Sequence, residues 1–393
     1  MPSSSNLSSR APVRSRFQLI LERLLAYSLV ISPPIAGAVT VVLLIRHRAR
    51  LRQIWRESWT LGVFALLGAL GMISAFLTES QRAAIQGLAG MLGLFIAWLL
   101  GWMTVEHPKR FWRDLQRGIG IVALITVAWT LRPFTLQFST GALTIPIAVP
   151  HDPVAVFGLG ANGLGILLAF GGVLAFGRMI DEGGLAGRTE AFFIAAAALA
   201  GALMIGARNA LLGASVGAVM FLTARGLLAL VAVIAIAGIT IWLRPEIGSS
   251  FLALAQPATE QPRIITWGAA VAMIRDHPLV GVGPFNFGIF KPRYVQPNPG
   301  GADPLFGPHS IYLRMAAEWG IPAAVALFTW LFSWPIRLWE RRMEIWRWSF
   351  VAALVAYLVM GVFDDPLFTM HVSAPVFAGI GLAVSDLRRS PSA

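Results

Sequence analysis

Several arginines fall at breaks in an otherwise apolar sequence, where they could bind an anion. Arg208 interrupts the apolar run 191–224, and Arg263 lies near the start of a helical pattern that ends at Asp276. That order of charges opposes the helix macrodipole, so helix stability does not account for Arg263. A planar guanidinium matches phosphate oxygens and stays charged at any working pH. The residue types therefore favour a phosphate or diphosphate site, and the alternative for Arg263 is an exposed basic loop.

The composition predicts the kind of chain that must position these arginines. Apolar residues make up 56% of the 393 residues, and charged residues make up only 13%. Several uncharged windows reach about 20 residues, the length of a helix that crosses a bilayer. The predicted fold class is an all-α polytopic integral membrane protein with about 12 transmembrane helices. Cys is absent, which is compatible with an oxidising compartment but does not demonstrate one.

Basic residues orient the predicted spans and place both termini in the cytoplasm. The basic, Ser-rich N-terminus is interpreted as a retained tail and not as a removed signal peptide. Residues 1–243 carry this tail and nine spans, residues 244–319 form a large periplasmic loop with amphipathic helices, and residues 320–393 carry the last three spans. The spans are predicted over residues 17–31, 35–45, 59–77, 83–103, 118–131, 154–176, two within 191–224, 226–243, 320–335, 348–363 and 372–387.

The charged residues support this orientation. With these spans, 22 of the 31 Lys and Arg residues and 10 of the 19 Asp and Glu residues fall on the inner side, so the formal net charge of +12 lies there. This asymmetry is the positive-inside signature, and nucleic-acid binding is not needed to explain the basic composition. No P-loop, HExxH motif or paired Cys occurs in the sequence. Asp364 and Asp365 are the nearest approach to a metal-binding carboxylate pair, and the preferred interpretation is a hydrated turn between two spans.

The remaining candidates gather on the predicted external side. An Arg at the membrane boundary is costly without an anionic partner, so several arginines at one level suggest a lipid-linked phosphate or diphosphate. The alternative for Arg208 is that it pairs with Glu79 or Asp364, or extends to the lipid headgroups. The external candidates are Arg132, His151, Arg208, Arg263, Arg275, His277, Lys291, Arg293 and His309.

Three stretches of this region resemble the O-antigen ligase and polymerase superfamily. They are GARNALLG around Arg208, the segment after Arg263 that ends in HPLVGVGPFNFG, and PHSIYLRMAAEWGIPA around His309. The resemblance extends over residues 59–382 and is most specific over residues 203–325. Asn162 in GLGANGLG matches an Asn that is common in the corresponding span of the family. Ser310 is a departure, because the family usually has Asn after the His.

The resemblance implies a glycosyltransferase that acts at the periplasmic face of the bacterial inner membrane. The implied donor is a glycan linked to undecaprenyl diphosphate, and the implied acceptor of a ligase is the lipid A core oligosaccharide. A polymerase or a protein O-oligosaccharyltransferase is the alternative within the superfamily. No cofactor, metal or nucleic acid is expected, and membrane lipids are expected partners. Outside the superfamily, the alternatives are a scaffold and a flippase or transporter of a lipid-linked sugar, for which no convincing internal repeat is found.

By residue match, the resemblance implies catalytic roles for Arg208, Arg263 and His309. Diphosphate or glycan binding is expected of Arg132, Asn162, Arg275 and Tyr312, although Tyr312 could instead be an interfacial aromatic anchor. The loop is expected to form one or two helices over the outer membrane surface, above a cavity that the lipid carrier enters between spans. The apolar contacts of these helices are expected from Ile264, Trp267, Met273 and Ile274.

His309 is the expected general base for an acceptor hydroxyl, because the unperturbed His pKa of about 6.5 suits this task. A position at the start of a helix after Pro308 would favour the neutral imidazole. The alternative is an imidazolium that binds the diphosphate. Attack from the face opposite the diphosphate predicts inversion at the anomeric carbon. Glu318 falls on the opposite helix face, at about 100° per residue, and is not expected to orient His309.

Overall fold

The first half of the chain is a series of helices joined by short breaks. The structure is a computed structural model that describes residues 13–104, 107–131, 135–140, 143–148, 160–221, 257–295, 307–340 and 345–389. A proline pair begins the second helix, since a first-turn residue needs no N–H donor. The helices are α1 (Val13–Ile31), α2 (Pro33–Arg46), α3 (Ser58–Leu77), α4 (Gln81–Thr104), α5 (Pro108–Leu131), α6 (Ala161–Asp181), α7 (Leu185–Met204) and α8 (Arg208–Val219), with short turns of helix at Arg48–Leu51 and Ile54–Glu57.

The second half contains α9 (Pro257–Asp276), α10 (Ile311–Trp319), α11 (Ile321–Glu340), α12 (Ile345–Met360) and α13 (Met370–Arg389). Gly320 ends α10 with a φ of 85°, a conformation that glycine adopts without the steric cost of a Cβ. The chain therefore passes from α10 into α11 at a single residue. Short helical turns occur at Phe287–Phe290, Lys291–Arg293 and Pro366–Phe368.

One antiparallel hairpin interrupts the helical order between α5 and α6. Strand β1 (Thr135–Thr140) pairs with β2 (Leu143–Ala148) from Thr135 opposite Ala148 to Thr140 opposite Leu143. This segment lies within the stretch predicted as an external loop. Apart from this hairpin, the described elements are helices, which confirms the predicted helical class.

Six of the described helices are long and apolar enough to cross a membrane: Ile54–Leu77, Gln81–Met103, Ala161–Asp181, Leu185–Met204, Ile321–Leu338 and Met370–Arg388. Two shorter apolar helices cover Ile35–Arg46 and Arg347–Met360. The other predicted spans also coincide with helices, except the span over residues 226–243, which lies outside the described residues. The total of twelve spans therefore stays a prediction.

Polar contacts join the helix ends in two separate groups. Segments predicted to be cytoplasmic contact one another through Arg117 and Arg178 with Glu190 and through Arg388 with Glu57. Two further pairs, Arg23 with Asp114 and Arg347 with Asp386, each join such a segment to a residue of a predicted span. Segments predicted to be external do so through Arg293 with Glu79, Thr78 with the Val282 carbonyl, and Asn209 with Asp364. The external group joins only segments that were predicted to lie on one side of the membrane.

Helices α4 and α13 approach closely because two glycines lie at their contact. A Cβ at Gly101 would overlap the carbonyl oxygen of Ala378, and a Cβ at Gly381 would overlap that of Trp98. Backbone contact of this kind is typical of membrane helices, in which small residues let neighbouring helices pack closely. The fully buried Trp98 and Phe377 continue the same core.

Gly381→Ala is expected to destabilise the protein by about 1–3 kcal/mol, because the added methyl forces two backbones apart. Gly68→Ala in α3 is the matched control, since a Cβ there would meet no atom within 4 Å and Ala is the better helix former by about 1 kcal/mol. Thermal unfolding in detergent should show a lower midpoint for Gly381→Ala only. Equal midpoints for the two variants would contradict the close approach.

Candidate active site

The first element of the site is the break between α7 and α8. Helix α7 ends at Met204, Gly206 has a φ of 72°, and Arg208 is the first residue of α8. The predicted turn between two short helices within residues 191–224 is thus confirmed. Buried Asn209 donates from Nδ2 to Asp364 Oδ2 at 3.1 Å. Arg208 therefore lies beside a residue that is bonded to the loop between α12 and α13.

Arg208 does not form the ion pairs that were considered for it. Glu79 pairs with Arg293, and Asp364 contacts Asn209 and His309. No carboxylate of the described residues forms a salt bridge with Arg208. Its side chain is half-buried. The Arg208 guanidinium therefore pairs with neither Glu79 nor Asp364. An arginine that binds an external anion must not already be paired with such a carboxylate.

The segment that carries His309 is fixed on both sides. Trp267 Nε1 in α9 donates to the Pro308 carbonyl at 2.7 Å. The Ile311 N–H donates to the carbonyls of Gly361 at 2.9 Å and Asp364 at 3.0 Å. His309 itself has a φ of 48°, a left-handed conformation that is uncommon for a residue with a Cβ. Such strain persists only where surrounding contacts determine the backbone, and it is frequent at functional sites.

Ser310 is the N-cap of α10. Its hydroxyl accepts from the Leu313 N–H, and α10 begins at Ile311. Ser is a favoured N-cap residue, which gives a structural role to the position that departs from the family pattern. His309 thus precedes the helix and does not begin it. The predicted position of His309 at the start of the helix, on which the argument for a neutral imidazole depended, is therefore wrong.

Asp364 is the dominant influence on His309. His309 Nδ1 lies 3.4 Å from Asp364 Oδ1, longer than a typical hydrogen bond of about 2.9–3.0 Å. Contacts of this kind are often loose without substrate. Hydrogen bonding to Asp364 and its negative charge raise the pKa of His309, while burial and the Arg263 charge act in the opposite direction. The pair resembles the arrangement in which a carboxylate orients a basic imidazole and stabilises its protonated form.

Arg263 lies in the electrostatic range of His309. Its charge acts on the His309 pKa, and its side chain is half-buried near the start of the described part of α9. One helical turn further, Trp267 is bonded to the carbonyl that precedes His309. The helix that carries Arg263 is thus bonded to the segment that carries His309, and Asn209, the residue after Arg208, is bonded to Asp364.

Arg314 forms ion pairs with two carboxylates, Asp365 and Glu318, next to the His309 segment. Arg314 donates to Asp365 Oδ2 at 2.7 Å and to Glu318 Oε1 at 3.3 Å. Glu318 is fully buried and accepts from the N–H groups of Phe285 at 2.9 Å and Phe287 at 3.3 Å. Burial raises the pKa of Glu318, and the Arg314 charge and these N–H groups oppose that rise. Glu318 does not contact His309, as expected, but holds the turn after α9 against α10.

Asp364 and Asp365 do not form the hydrated turn that the sequence favoured. Asp364 is 6% exposed, and Asp365 is paired with Arg314. Ligand atoms of His309, Asp364 and Asp365 all lie within 4.8 Å of one another, close enough to hold a metal ion. However, Arg314 and Asn209 already engage the two carboxylates, and a second cation beside Arg314 would be repelled. The absence of a metal requirement stays a prediction.

The other predicted binding residues lie outside this cluster. The Tyr312 hydroxyl donates to the Leu358 carbonyl at 2.8 Å, and burial raises its pKa to about 12. Arg275 is exposed near the end of α9, and Asn162 is half-buried at the start of α6. Arg132 and His151 fall outside the described residues. The sequence did not identify Asn209, Arg314 or Asp364 as site residues, and only the four-residue spacing of Arg314 and Glu318 signalled an ion pair.

The predicted apolar contacts of α9 are confirmed for Met273, which is fully buried. Trp267 and Ile274 are half-buried. Ile264 is 64% exposed, so the apolar contact predicted for it is wrong. Met273 shares a small core with Ala270 of the same helix and Ala317 of α10. Helix α9 therefore packs against the segment that carries His309.

Arg314→Ala is expected to destabilise the protein by about 3–5 kcal/mol, because it leaves a buried carboxylate without its cation. The matched control is Arg293→Ala, which removes an exposed pair with Glu79 and should cost about 0–1 kcal/mol. Thermal unfolding of both variants in the same detergent measures the difference. Comparable midpoints would mean that the Arg314 network does not hold the site together.

The described residues include six helices long and apolar enough to cross a membrane, and His309, in a left-handed backbone conformation, lies against Asp364. Residues 191–328 match the family model described as O-Antigen ligase, which supports the O-antigen ligase superfamily that the resemblance predicted. The match includes Arg208, Arg263 and His309. It supports a glycosyltransferase of the O-antigen ligase or polymerase type that interacts with lipid-linked glycans. A comparison with curated proteins finds no match.

Proposed function

We propose that the protein is an O-antigen ligase that transfers a glycan from undecaprenyl diphosphate to the lipid A core oligosaccharide at the periplasmic face of the bacterial inner membrane. The observation that carries this proposal is the contact of 3.4 Å between His309 Nδ1 and Asp364 Oδ1, on a segment that Trp267 bonds to the helix of Arg263. An anion-binding cation and a base with an orienting carboxylate are the two parts that transfer from a diphosphate to a hydroxyl requires. The family match adds that all three predicted catalytic residues lie in the matched segment.

Arg208 and Arg263 bind the diphosphate in this mechanism. As the bond between the anomeric carbon and the diphosphate oxygen breaks, negative charge grows on the leaving group. Two guanidinium groups stabilise that charge in the transition state more than in the ground state, which is what accelerates the reaction. Arginine forks supply the positive charge, so this step uses no metal ion.

His309 accepts the proton of the acceptor hydroxyl as the new glycosidic bond forms. Because Nδ1 faces Asp364, Nε2 is the nitrogen available to the hydroxyl, and Asp364 stabilises the imidazolium that results. The hydroxyl attacks from the face opposite the diphosphate, so one displacement inverts the anomeric carbon without a glycosyl-enzyme intermediate.

Reconstitution of the purified protein in liposomes tests the proposal. A lipid-linked donor is supplied with lipid A core, with a second repeat-unit donor, or with an acceptor peptide containing Ser. Product formed only on lipid A core, without ATP or an ion gradient, is the expected result. A longer lipid-linked glycan would indicate a polymerase, and a glycopeptide would indicate a protein glycosyltransferase. Movement of donor across the bilayer without a covalent product would refute the transferase.

A further inference from the structure

Two aromatic side chains, Trp267 of α9 and Phe363 of the loop after α12, form a pair next to the His309 segment. Their ring centroids lie 6.4 Å apart, and their planes are inclined by 33°. Trp267 Nε1 donates to the carbonyl of Pro308, the residue before His309. Phe363 directly precedes Asp364, whose carboxylate contacts the imidazole. Each ring of this aromatic pair is therefore linked, through an adjacent residue, to the contact between the proposed base and its carboxylate.

The aromatic pair is only partly covered by the described residues. Phe363 is 36% exposed, and Trp267 is half-buried. Ile264, one helical turn before Trp267, is 64% exposed. The polar side chains of Arg263 and His309, which are both half-buried, belong to the same two segments. Exposed apolar surface with polar groups at its edge is typical of ligand-binding grooves and of membrane contacts.

The hydrogen bond of the indole favours a ligand-binding surface over a membrane anchor. A Trp that anchors a protein at the membrane interface directs its N–H toward headgroups and water. The Trp267 N–H instead donates to Pro308 at 2.7 Å, which fixes the ring before any ligand binds. The Phe363 backbone is also held, because its N–H donates to the Met360 carbonyl at 3.0 Å. A surface ordered in advance loses little entropy on binding.

A sugar ring has the chemistry that complements such a surface. One face of a pyranose presents C–H groups, and its hydroxyls point outward from the ring edge. The face of an aromatic ring is negative and attracts the positive hydrogens of C–H groups. A sugar stacked on Phe363 would thus keep its hydroxyls available to His309. A general base must lie within hydrogen-bond reach of the hydroxyl that it deprotonates, so the sugar at this position is that of the acceptor.

We propose that the aromatic pair stacks against a sugar ring of the acceptor saccharide and presents one of its hydroxyls to His309. This inference rests on the proposed transfer to a sugar hydroxyl, and it adds the surface that binds the acceptor. Arg263, which is proposed to bind the diphosphate, lies one helical turn before Trp267 on α9. Acceptor and leaving group are then bound by different side chains. The aromatic pair should therefore affect the KM of the acceptor and not that of the donor.

The test compares Phe363→Leu with Phe363→Tyr in liposomes that contain the full-length protein and saturating lipid-linked donor. Leu keeps an apolar side chain but has no aromatic face, so the KM for lipid A core should rise about three- to tenfold while kcat changes less than about twofold. Tyr keeps the ring and should restore the KM to within about twofold of the parent. The control is Phe76→Leu, an 82% exposed Phe near the end of α3, which should change neither constant.

Phe363 is the better residue to change, because any substitution of Trp267 also removes its hydrogen bond to Pro308. Phe363→Met repeats the test with another apolar side chain that lacks an aromatic face, and its acceptor KM should rise as in Phe363→Leu. An unchanged acceptor KM in both variants would overturn the proposal. That result is expected of a ring that contacts only lipid, since Leu and Met preserve an apolar contact. A rise in the donor KM alone would assign the aromatic pair to the donor glycan and would also overturn it.

Calorimetric titration separates this inference from the proposed function, because it needs no turnover. Core oligosaccharide released from lipid A, and free repeat-unit oligosaccharide, are titrated into the full-length protein in detergent. Core oligosaccharide should bind the parent and Phe363→Tyr about three- to tenfold more tightly than Phe363→Leu. If only the repeat unit shows this dependence, the aromatic pair still binds the acceptor, and the ligase assignment is wrong. If neither saccharide shows it, the proposal is overturned whichever product forms in liposomes.

Discussion

His309→Gln is expected to lower the rate of glycan transfer by about one hundred- to ten thousand-fold, the range that a lost general base produces. Gln can fill the space and donate a hydrogen bond, but it cannot accept the proton of the acceptor hydroxyl. The backbone of this segment is fixed by Trp267 and by the contacts of Ile311, so the change should be local. Initial rates with lipid-linked donor in liposomes measure it.

The control for this variant is His277→Gln. His277 is half-buried after α9, with its ring edge-on to Phe290 at 6.2 Å between centroids. It should retain nearly full activity. Activity of His309→Gln equal to that of this control would exclude both a base and a diphosphate-binding imidazolium at position 309.

The pH dependence distinguishes those two roles. A general base works in its neutral form, so activity is lost as the pH falls through the His309 pKa, which Asp364 raises above its usual value. Asp364→Asn removes the charge that raises the pKa, so the acid limb of kcat/KM should move to lower pH, and the maximum should fall because the imidazolium is no longer stabilised. If activity is instead lost as the pH rises, the protonated imidazole is the active form.

The sequence predicted the helices well because hydropathy and charge are local properties. Each span depends on about 20 consecutive residues, and the positive-inside rule depends on short flanking segments. The break at Arg208 was predictable for the same reason, since a charge within a long apolar run is costly except at a turn. The β1 and β2 hairpin was not predicted, because only two short strands of ordinary composition form it.

The partners of His309 could not be predicted because they are distant in sequence. Asp364 follows His309 by more than 50 residues, and its burial depends on how α12 and α13 pack. An acidic pair between two spans is most often a hydrated turn, and nothing local to residues 364 and 365 contradicts that interpretation. The structure contradicts it, because Asn209 and Arg314 bring hydrogen-bond donors from two other helices.

The first residue of α10 was also predicted incorrectly, because the N-cap depends on a side-chain hydrogen bond. The sequence places Pro308, His309 and Ser310 at a helix start, but the N-cap is fixed only by which side chain bonds the first turn. Ser310 takes that position, and His309 is left in a left-handed conformation beside Asp364. The pKa of His309 is raised and not lowered because Asp364, which is distant in sequence, contacts the imidazole.

The double variant Arg208→Ala, Arg263→Ala is expected to lower transfer by at least about one hundred- to one thousand-fold, because each arginine stabilises charge that develops on the diphosphate. The reason to test them together is their shared region: Arg263 acts on His309 electrostatically, and Arg208 lies beside the Asn209 contact to Asp364.

Lysine at both positions keeps the charge but loses the bidentate fork, so it should restore only part of the rate. The matched control is Arg82→Ala, an exposed Arg at the start of α4 that is predicted to be external. It should leave the rate unchanged, and membrane insertion of all variants is compared by the yield of folded protein. Full transfer by the double alanine variant would show that Arg208 and Arg263 do not bind the diphosphate. A rate restored completely by lysine would show that charge alone, without guanidinium geometry, suffices to bind the leaving group.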